Sequence, residues 1–402
     1  MNRKQLITLI VLVALIGGAG WIIFKRQSTT HSPSDQKLGQ KLFTELPVND
    51  IAEIQIKQSG AELSLVKKED VWRVRERGDY AANFDKISDF LLKAKDLKVS
   101  QSEEIGPSQF AKLDLLEPSK GANSGTLVEF KDKFGKTVQS AILGKKQMRK
   151  SARPSPYGGD DSYPVGRYVL LPTDTKNVLM LSDALTDIEA QPANWLNKDF
   201  FKIEKVSAVS LASTNATNSW KLTRETETGV WRLSDAKPDE NLDTNKVSGI
   251  ANSIASPNFV DVVANPKPEE TGLDKAQVIT LETFDGFTYT LKLGNKSGEE
   301  NYHFTVALTA NPPKERAAVK EEKPGDKAKL DKEFSDKNKL FEEKLKKEKQ
   351  FEKWTYLVAK WPFDPLLKDR TQLMVEKNDE TKDESTEEKS DAPFDPTGLN
   401  KE

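Results

Sequence analysis

The side chains most often used for nucleophilic and acid–base catalysis are scarce in this chain. Its 402 residues include no cysteine and only two histidines, His31 and His303. A catalytic histidine needs a nucleophile or a carboxylate within hydrogen-bond reach, and no motif indicates such a partner for His303. A histidine zinc site needs more imidazole ligands than the chain contains.

Sites for calcium, phosphate or sugar chemistry are not indicated either. The loop Tyr157–Ser162 has two glycines and two aspartates but lacks the ligand spacing of an EF-hand, so a glycine turn is favoured over a calcium site. Neither GxGxxG nor GxxxxGK[ST] occurs. No carboxylate pair is singled out for glycoside hydrolysis. The sequence therefore predicts a protein that is not an enzyme and has no catalytic residues, no metal and no cofactor.

Composition limits the class of partner and the size of the core. The 61 basic and 63 acidic residues give a net charge of −2, so no overall field attracts nucleic acid, and we expect no nucleic-acid partner. The chain is 36% hydrophobic and 31% charged. It has room for two domains only if part of it stays outside their cores.

The N-terminal segment 1–26 predicts a membrane anchor. Leu6–Phe24 carries no charge and would span roughly 28 Å as a helix, close to the thickness of the hydrocarbon core. Anchor positions on it are Leu6, Trp21 and Phe24. The alternative is a signal peptide cleaved after Gly18-Ala19-Gly20, but the apolar run continues beyond that point. We expect a single-pass protein of the bacterial inner membrane whose body lies in the periplasm or otherwise outside the cytoplasm.

Alternating apolar residues predict half-buried strands through most of the remaining chain. We interpret 27–46 as a tether and 47–190 and 195–375 as two α+β units, each a mostly antiparallel sheet with a packed helix. Trp72 and Trp231 lie in such alternating runs. A ligand-binding role is the alternative for them, but buried core positions are the more common use of tryptophan in strands.

The two units carry similar motifs in the same order, which predicts two tandem repeats. Val71-Trp72-Arg73-Val74 matches Val230-Trp231-Arg232-Leu233. Leu113-Asp114 then aligns with Leu273-Asp274, and the two intervals from tryptophan to aspartate differ by one residue. Later, Leu143-Gly144 corresponds to Leu293-Gly294.

Two segments depart from this pattern. Residues 314–353 are dense in lysine and glutamate with a thin apolar stripe at helical spacing, and they predict a charged helical insertion in the second repeat. Residues 376–402 are mainly acidic with few large apolar side chains, which predicts a disordered acidic tail.

These features together resemble the bacterial family called domain of unknown function 4340. The resemblance rests on the opening apolar segment, the Trp72 strand with its following helix, the Leu-Asp element and the Leu-Gly ending. It covers most of 42–311 and resumes at 354–373. The resemblance implies genes that often lie beside gliding-motility-type ABC transporter components, and it carries over no catalytic residues.

From these observations we expect an accessory or scaffold subunit of an ABC-type transport complex, with the membrane bilayer and transporter subunits as partners. The alternative is a periplasmic binding module that holds a lipid, glycan or peptide between the repeats. A deep apolar cleft with convergent polar groups would favour binding. An apolar patch on one face would favour scaffolding.

Overall fold

Two antiparallel β-sheets and five helices form the described part of the chain. The computed structural model describes residues 38–151, 161–213, 215–238, 240–312, 315–316 and 324–375. The expected α+β class with mostly antiparallel sheets is confirmed. The predicted tail, 376–402, lies outside the described residues.

The first sheet has nine strands, and it is built from the alternating residues that follow the N-terminal segment. Ile54 and Ile56, with Leu63 and Leu65 opposite them, are fully buried. The strands are β1 (Ile51–Gln58), β2 (Ala61–Lys68), β3 (Val71–Val74), β4 (Tyr80–Ala81), β5 (Val99–Glu104), β6 (Thr126–Asp132), β7 (Thr137–Lys150), β8 (Ser162–Leu171) and β9 (Asp174–Leu181). Their order is β4-β3-β2-β1-β6-β7-β8-β9-β5.

Helix α1 (Phe84–Asp96) crosses from one edge of this sheet to the other. It begins at Asn83, whose side-chain oxygen accepts a 3.0 Å hydrogen bond from the backbone N–H of Lys86. Its apolar face, spaced at three and four residues, is buried against the sheet: Ile87, Phe90, Leu91 and Ala94. The crossover explains why β5 lies beside β9 and not beside β4.

The second sheet has eight strands in the order β12-β11-β10-β14-β15-β16-β17-β13. The strands are β10 (Val206–Ala212), β11 (Trp220–Thr223), β12 (Arg232–Leu233), β13 (Asp261–Val263), β14 (Gln277–Thr283), β15 (Phe287–Ser297), β16 (Asn301–Ala310) and β17 (Thr355–Ala359). Three short helices, α2 (Thr244–Ser248), α3 (Ile250–Ser253) and α4 (Pro268–Thr271), lie between β12 and β14.

A long helix, α5 (Pro324–Lys349), lies between β16 and β17, within the segment whose charge pattern predicts one. Only its C-terminal part meets the core, through Phe341 and Leu345. The carboxylate of Glu348 is buried there and accepts a 2.7 Å hydrogen bond from the hydroxyl of Tyr289. The apolar stripe is thin, and so the helix packs along one end and leaves much of its length exposed.

The predicted tether 27–46 is described from residue 38 onward, and this part packs against the first sheet. Leu42 and Phe43 are buried. The backbone N–H of Gly39 donates a 2.9 Å hydrogen bond to the carbonyl of Val99. The tether prediction is therefore wrong for these residues, because their apolar side chains have a place in the core.

The boundary between the predicted units, 47–190 and 195–375, also shifts. Trp195 has no exposed surface, and its carbonyl accepts a 2.7 Å hydrogen bond from the backbone N–H of Asn83. The N–H of Asn197 donates to β4. Residues 195–197, here called the strap, therefore pair with the segment that contains the edge strand β4. The first unit thus extends to about Asn197.

Candidate interaction surfaces

The contact between the two sheets, here called the junction, is centred on Arg77, in the turn after β3. Its guanidinium donates two 2.7 Å hydrogen bonds to the carboxylate of Asp261 on β13. Both side chains are largely shielded from solvent, at 24% and 17% exposed. Gly78, next in the chain, has a left-handed φ of +64° and lies under the ring of Trp354. Arg77 and Gly78 are therefore part of the junction between the sheets.

Aromatic rings fill the junction. Tyr80 makes edge-to-face contacts with Phe259, Trp354 and Tyr356, with ring centroids 5.0–6.1 Å apart. Burial raises the pKa of Tyr80 to about 12 and raises that of Tyr356 as well. A cavity of about 130 Å³ lined by Tyr80 and Trp354 lies at this contact. Its volume is far below the roughly 300–1,000 Å³ of drug-sized ligand sites.

The two tryptophans singled out in the sequence are both buried and lie in different sheets. Trp72 on β3 is 5% exposed and pairs with Lys67 on β2. Trp231, immediately before β12, is 8% exposed, and the guanidinium of Arg224 lies 4.7 Å from its ring centroid. The structure does not bring the two together. Both belong to one apolar core that runs through the two sheets.

The anchor residues Leu6, Trp21 and Phe24 lie outside the described residues. Among the residues that are described, no helix is both long enough and apolar enough to cross a membrane.

An apolar groove separates α5 from the turn between β14 and β15. Its cavity is about 620 Å³. The floor is a stacked pair, Phe287 and Phe341, with ring centroids 4.1 Å apart. Phe284 is 40% exposed and Leu340 is 66% exposed at the sides. Lys344 lies over the Phe287 ring at 5.1 Å, so the rim carries a cation beside an apolar floor.

Trp361, in the turn after β17, is the most exposed tryptophan that the structure describes, at 74%. Its neighbour Lys360 is tied to the β15–β16 turn through hydrogen bonds to the backbone carbonyls of Glu299 and Glu300. Large apolar side chains displayed in this way occur at protein contacts and at membrane interfaces.

His303 lies on β16, and its Nδ1 donates a 2.9 Å hydrogen bond to the carbonyl of Asn295. This contact involves no nucleophilic side chain. Within the described ranges, no group of three or more histidine, aspartate or glutamate side chains is arranged to hold a metal ion.

The sequence did not indicate the junction or the groove as sites. No local motif indicates a partner for Arg77, and only pairing between β13 and β17 brings Asp261 to it. Leu340 lies outside the apolar stripe of 314–353, which consists of Leu330, Phe334, Phe341 and Leu345. Its isolation on a charged helix was the one available signal for an exposed apolar contact.

Comparison with known proteins gives one family. The model for the family described as domain of unknown function (DUF4340) matches residues 72–276, about half of the chain. No match was found among curated proteins or among solved structures.

Proposed function

The chain belongs to the DUF4340 family, and from this premise we propose that it is a non-catalytic, membrane-anchored envelope protein that serves as an accessory or scaffold subunit of an ABC-type transport complex. The uncharged run Leu6–Phe24 would hold it in the inner membrane with its body in the periplasm. The family resemblance suggests ABC-type subunits as partners. A single membrane helix forms no channel, so transport would depend on those partners.

The observation that carries this proposal is the exposed apolar surface of the second half. Leu340 and Phe284 flank the groove beside α5, and Trp361 stands exposed on a turn. Exposed apolar side chains on an otherwise charged element are typical of protein contacts. The filled junction supports the same choice, since it leaves little space for a ligand between the sheets.

We also infer that the two halves arose by internal duplication. Matching irregularities of the two sheets support this. The pairing of β1 with β6 shifts between Ile51 and Glu53, and that of β10 with β14 shifts between Val206 and Ala208. A second shift follows Leu143 in β7 and Leu293 in β15. Bulges at corresponding registers are seldom independent, because each one re-aims the strand that carries it.

The ends of the two halves support the duplication as well. Leu196 of the strap after the first sheet forms an antiparallel bridge with Ala82, just before the cap of α1. Met374, near the end of the described chain, forms the same kind of bridge with Leu242, just before Asp243, which caps α2.

Backbone geometry changes the alignment of the Leu-Asp element under this proposal. Asp114 has a φ of 52° and ends a 3₁₀ turn, and Gly272 has a φ of 61° and ends α4. The residues that follow, Leu115 and Leu273, each approach the glycine of a Leu-Gly ending. Asp114 therefore corresponds to Gly272, and the alignment with Asp274 expected from the sequence is replaced.

Affinity purification of the full chain from gently solubilised membranes tests the scaffold role. Transporter ATPase and permease subunits should copurify with the native chain. Their yield should fall when Leu340→Asp is introduced or when residues 1–26 are replaced by an unrelated anchor. Phe134→Ser changes a still more exposed apolar side chain, 83% exposed against 66% for Leu340, in the β6–β7 turn of the first half and serves as the control.

Two results would overturn the scaffold proposal. One is a protein that purifies alone in several mild detergents while its body turns over a substrate. The other is an equal loss of partner subunits in the Phe134→Ser control, which would mean that the groove has no special part in the contact.

A binding module is the second candidate function, favoured by the volume of the groove. At about 620 Å³ it lies within the size range of ligand sites, with an apolar floor and a rim that carries lysines together with Glu204 and Asp285. Such a site suits an amphiphile, for which a fluorescent long-chain fatty acid is a practical probe. Saturable binding that Leu340→Asp abolishes, without copurifying subunits, would favour this function over the scaffold.

A further inference from the structure

Strands β7 and β8 extend beyond the sheet to which they belong. The pairing of β7 with β6 ends at Leu143, and the pairing of β8 with β9 begins at Arg167. Residues 147–150 and 162–166 pair only with each other, and Lys146 pairs with Arg167 at their base. They form a two-stranded projection, which we call the arm and define as Lys145–Lys150 with Ser162–Gly166.

The arm is strongly basic. It carries Lys145, Lys146, Arg149 and Lys150 on one strand. None of these four side chains has an ion-pair or hydrogen-bond partner in the described part of the chain. Beside them, Met148 is 52% exposed and Tyr163 is 47% exposed on the facing strand.

We propose that the arm binds the anionic lipid headgroups of the bilayer that the N-terminal segment enters, and so holds the body against the membrane surface. Each lysine or arginine near an anionic bilayer strengthens binding by a factor of about five. Exposed methionine and tyrosine side chains suit the boundary between headgroups and acyl chains. The proposed anchor would already hold the chain in the bilayer, and so the arm would set how the body lies on the membrane surface.

The position of Gly39, near the first described residue, supports the binding of the arm to the membrane. The backbone N–H of Gly39 donates a hydrogen bond to Val99 on β5. Val99 lies opposite Leu181 on β9, and Leu181 in turn lies opposite Arg167 at the base of the arm. Three strand spacings separate the first and last of these residues, about 14 Å. The segment that leads from the proposed anchor therefore joins the body close to the arm.

The corresponding hairpin of the second half offers a contrast within the same molecule. Strands β15 and β16 end at Ser297 opposite Asn301, with no comparable projection. Their turn carries the exposed acidic residues Glu299 and Glu300. Repulsion from anionic headgroups is expected there, and this hairpin serves as the control.

The chain has no cysteine, so a single introduced thiol reports on one site. We would place Met148→Cys or, as control, Glu299→Cys in the full chain, attach a fluorophore and reconstitute it into nanodiscs. The nanodiscs would contain phosphatidylcholine alone or with about a third phosphatidylglycerol, plus a lipid with a headgroup quencher. The label at position 148 should be quenched in anionic discs only, at least threefold more than the label at 299.

Salt and charge reversal complete the test. Quenching at 148 should be lost in about 0.5 M salt, where screening shortens the reach of the charges. It should also be lost when Lys145, Arg149 and Lys150 are all changed to Glu, a variant whose circular dichroism should match the parent because these three side chains are exposed.

The inference rests on the membrane anchoring proposed above, and the two can fail separately. A chain that is incorporated into discs but shows no lipid-dependent quenching at 148 keeps its anchor and loses the arm proposal. A chain that never associates with discs contradicts the anchoring itself. Tighter binding of the labelled arm to a mixed-sequence oligonucleotide than to anionic discs would overturn the lipid assignment.

Discussion

The guanidinium of Arg77 and the carboxylate of Asp261 form a two-pronged ion pair that joins the turn after β3 to the edge strand β13 of the other sheet. Replacing Arg77 with Met should lower the free energy of unfolding by about 1–3 kcal/mol, because a shielded carboxylate loses its donors. Urea denaturation followed by circular dichroism would measure this loss.

The exposed pair of Lys67 with Asp70 provides a control for that change. Asp70 is 94% exposed, so Lys67→Met should cost less than about 1 kcal/mol. Equal losses for the two variants would show that the junction pair contributes no more than a surface contact.

Replacing a buried tryptophan with alanine should lower the free energy of unfolding far more than replacing an exposed one. Trp72→Ala and Trp231→Ala should each cost about 3–5 kcal/mol, since both side chains are buried. Trp361→Ala should change stability by no more than about 0.5 kcal/mol. Denaturant titrations of the three variants decide the matter, and a harmless Trp231→Ala would contradict its place in the core.

The glycines of the two Leu-Gly endings should not tolerate a side chain. A Cβ at Gly144 would press against the backbone carbonyl of Leu113, and one at Gly294 against that of Thr271. Alanine at either site should lower the free energy of unfolding by about 1–3 kcal/mol. Gly249 has a φ of −78° and open space around it, so Gly249→Ala should be neutral or slightly stabilising. Thermal unfolding would rank the three, and an equal response would refute the steric explanation.

Shortening the chain from its C-terminus should separate the tail from the fold. Ending it after Val375 should leave the melting temperature unchanged, because the acidic tail has little apolar area to bury. Ending it after Asp369 removes the buried Leu373 and the bridge between Met374 and Leu242, and should lower the melting temperature by several degrees. A destabilised first truncation would mean that the tail packs on the body.

Acid should weaken the ion pair between Glu240 and Arg370. Hydrogen bonds from the guanidinium of Arg370, and then from the backbone N–H of Lys237, lower the pKa of Glu240 from 4.5 to about 2. Stability from the ionised carboxylate is therefore complete above about pH 4.5 and is lost as the pH falls toward 2.

Glu240→Gln should flatten the fall in melting temperature between pH 5 and pH 2. Glu225, whose ion pair with Arg232 is well exposed, supplies the control variant Glu225→Gln, which should keep the native pH profile. Identical profiles for all three proteins would rule out a role for Glu240 in acid unfolding.

Local patterns in the sequence were enough for the fold class and for several individual positions. Alternation of apolar residues predicted the strands that contain Ile54, Leu65 and Trp72, because a strand that buries one face needs that period. Asn83 and Asp243 cap helices and are residue types that commonly do so, since a cap depends on the next three residues. The two Leu-Gly endings could be matched from the sequence, but no local pattern explained why glycine is required there.

The reason for those glycines, and the junction itself, depend on residues far apart in the chain. Gly144 must be small because Leu113 and Leu115 pack against it. Arg77 is held in place because it forms an ion pair with Asp261 of the other sheet. The strap at Trp195 and the basic arm likewise follow from strand pairing. Periodicity records which face of an element is buried, whereas the partner on that face is set by packing and hydrogen bonding across the whole chain.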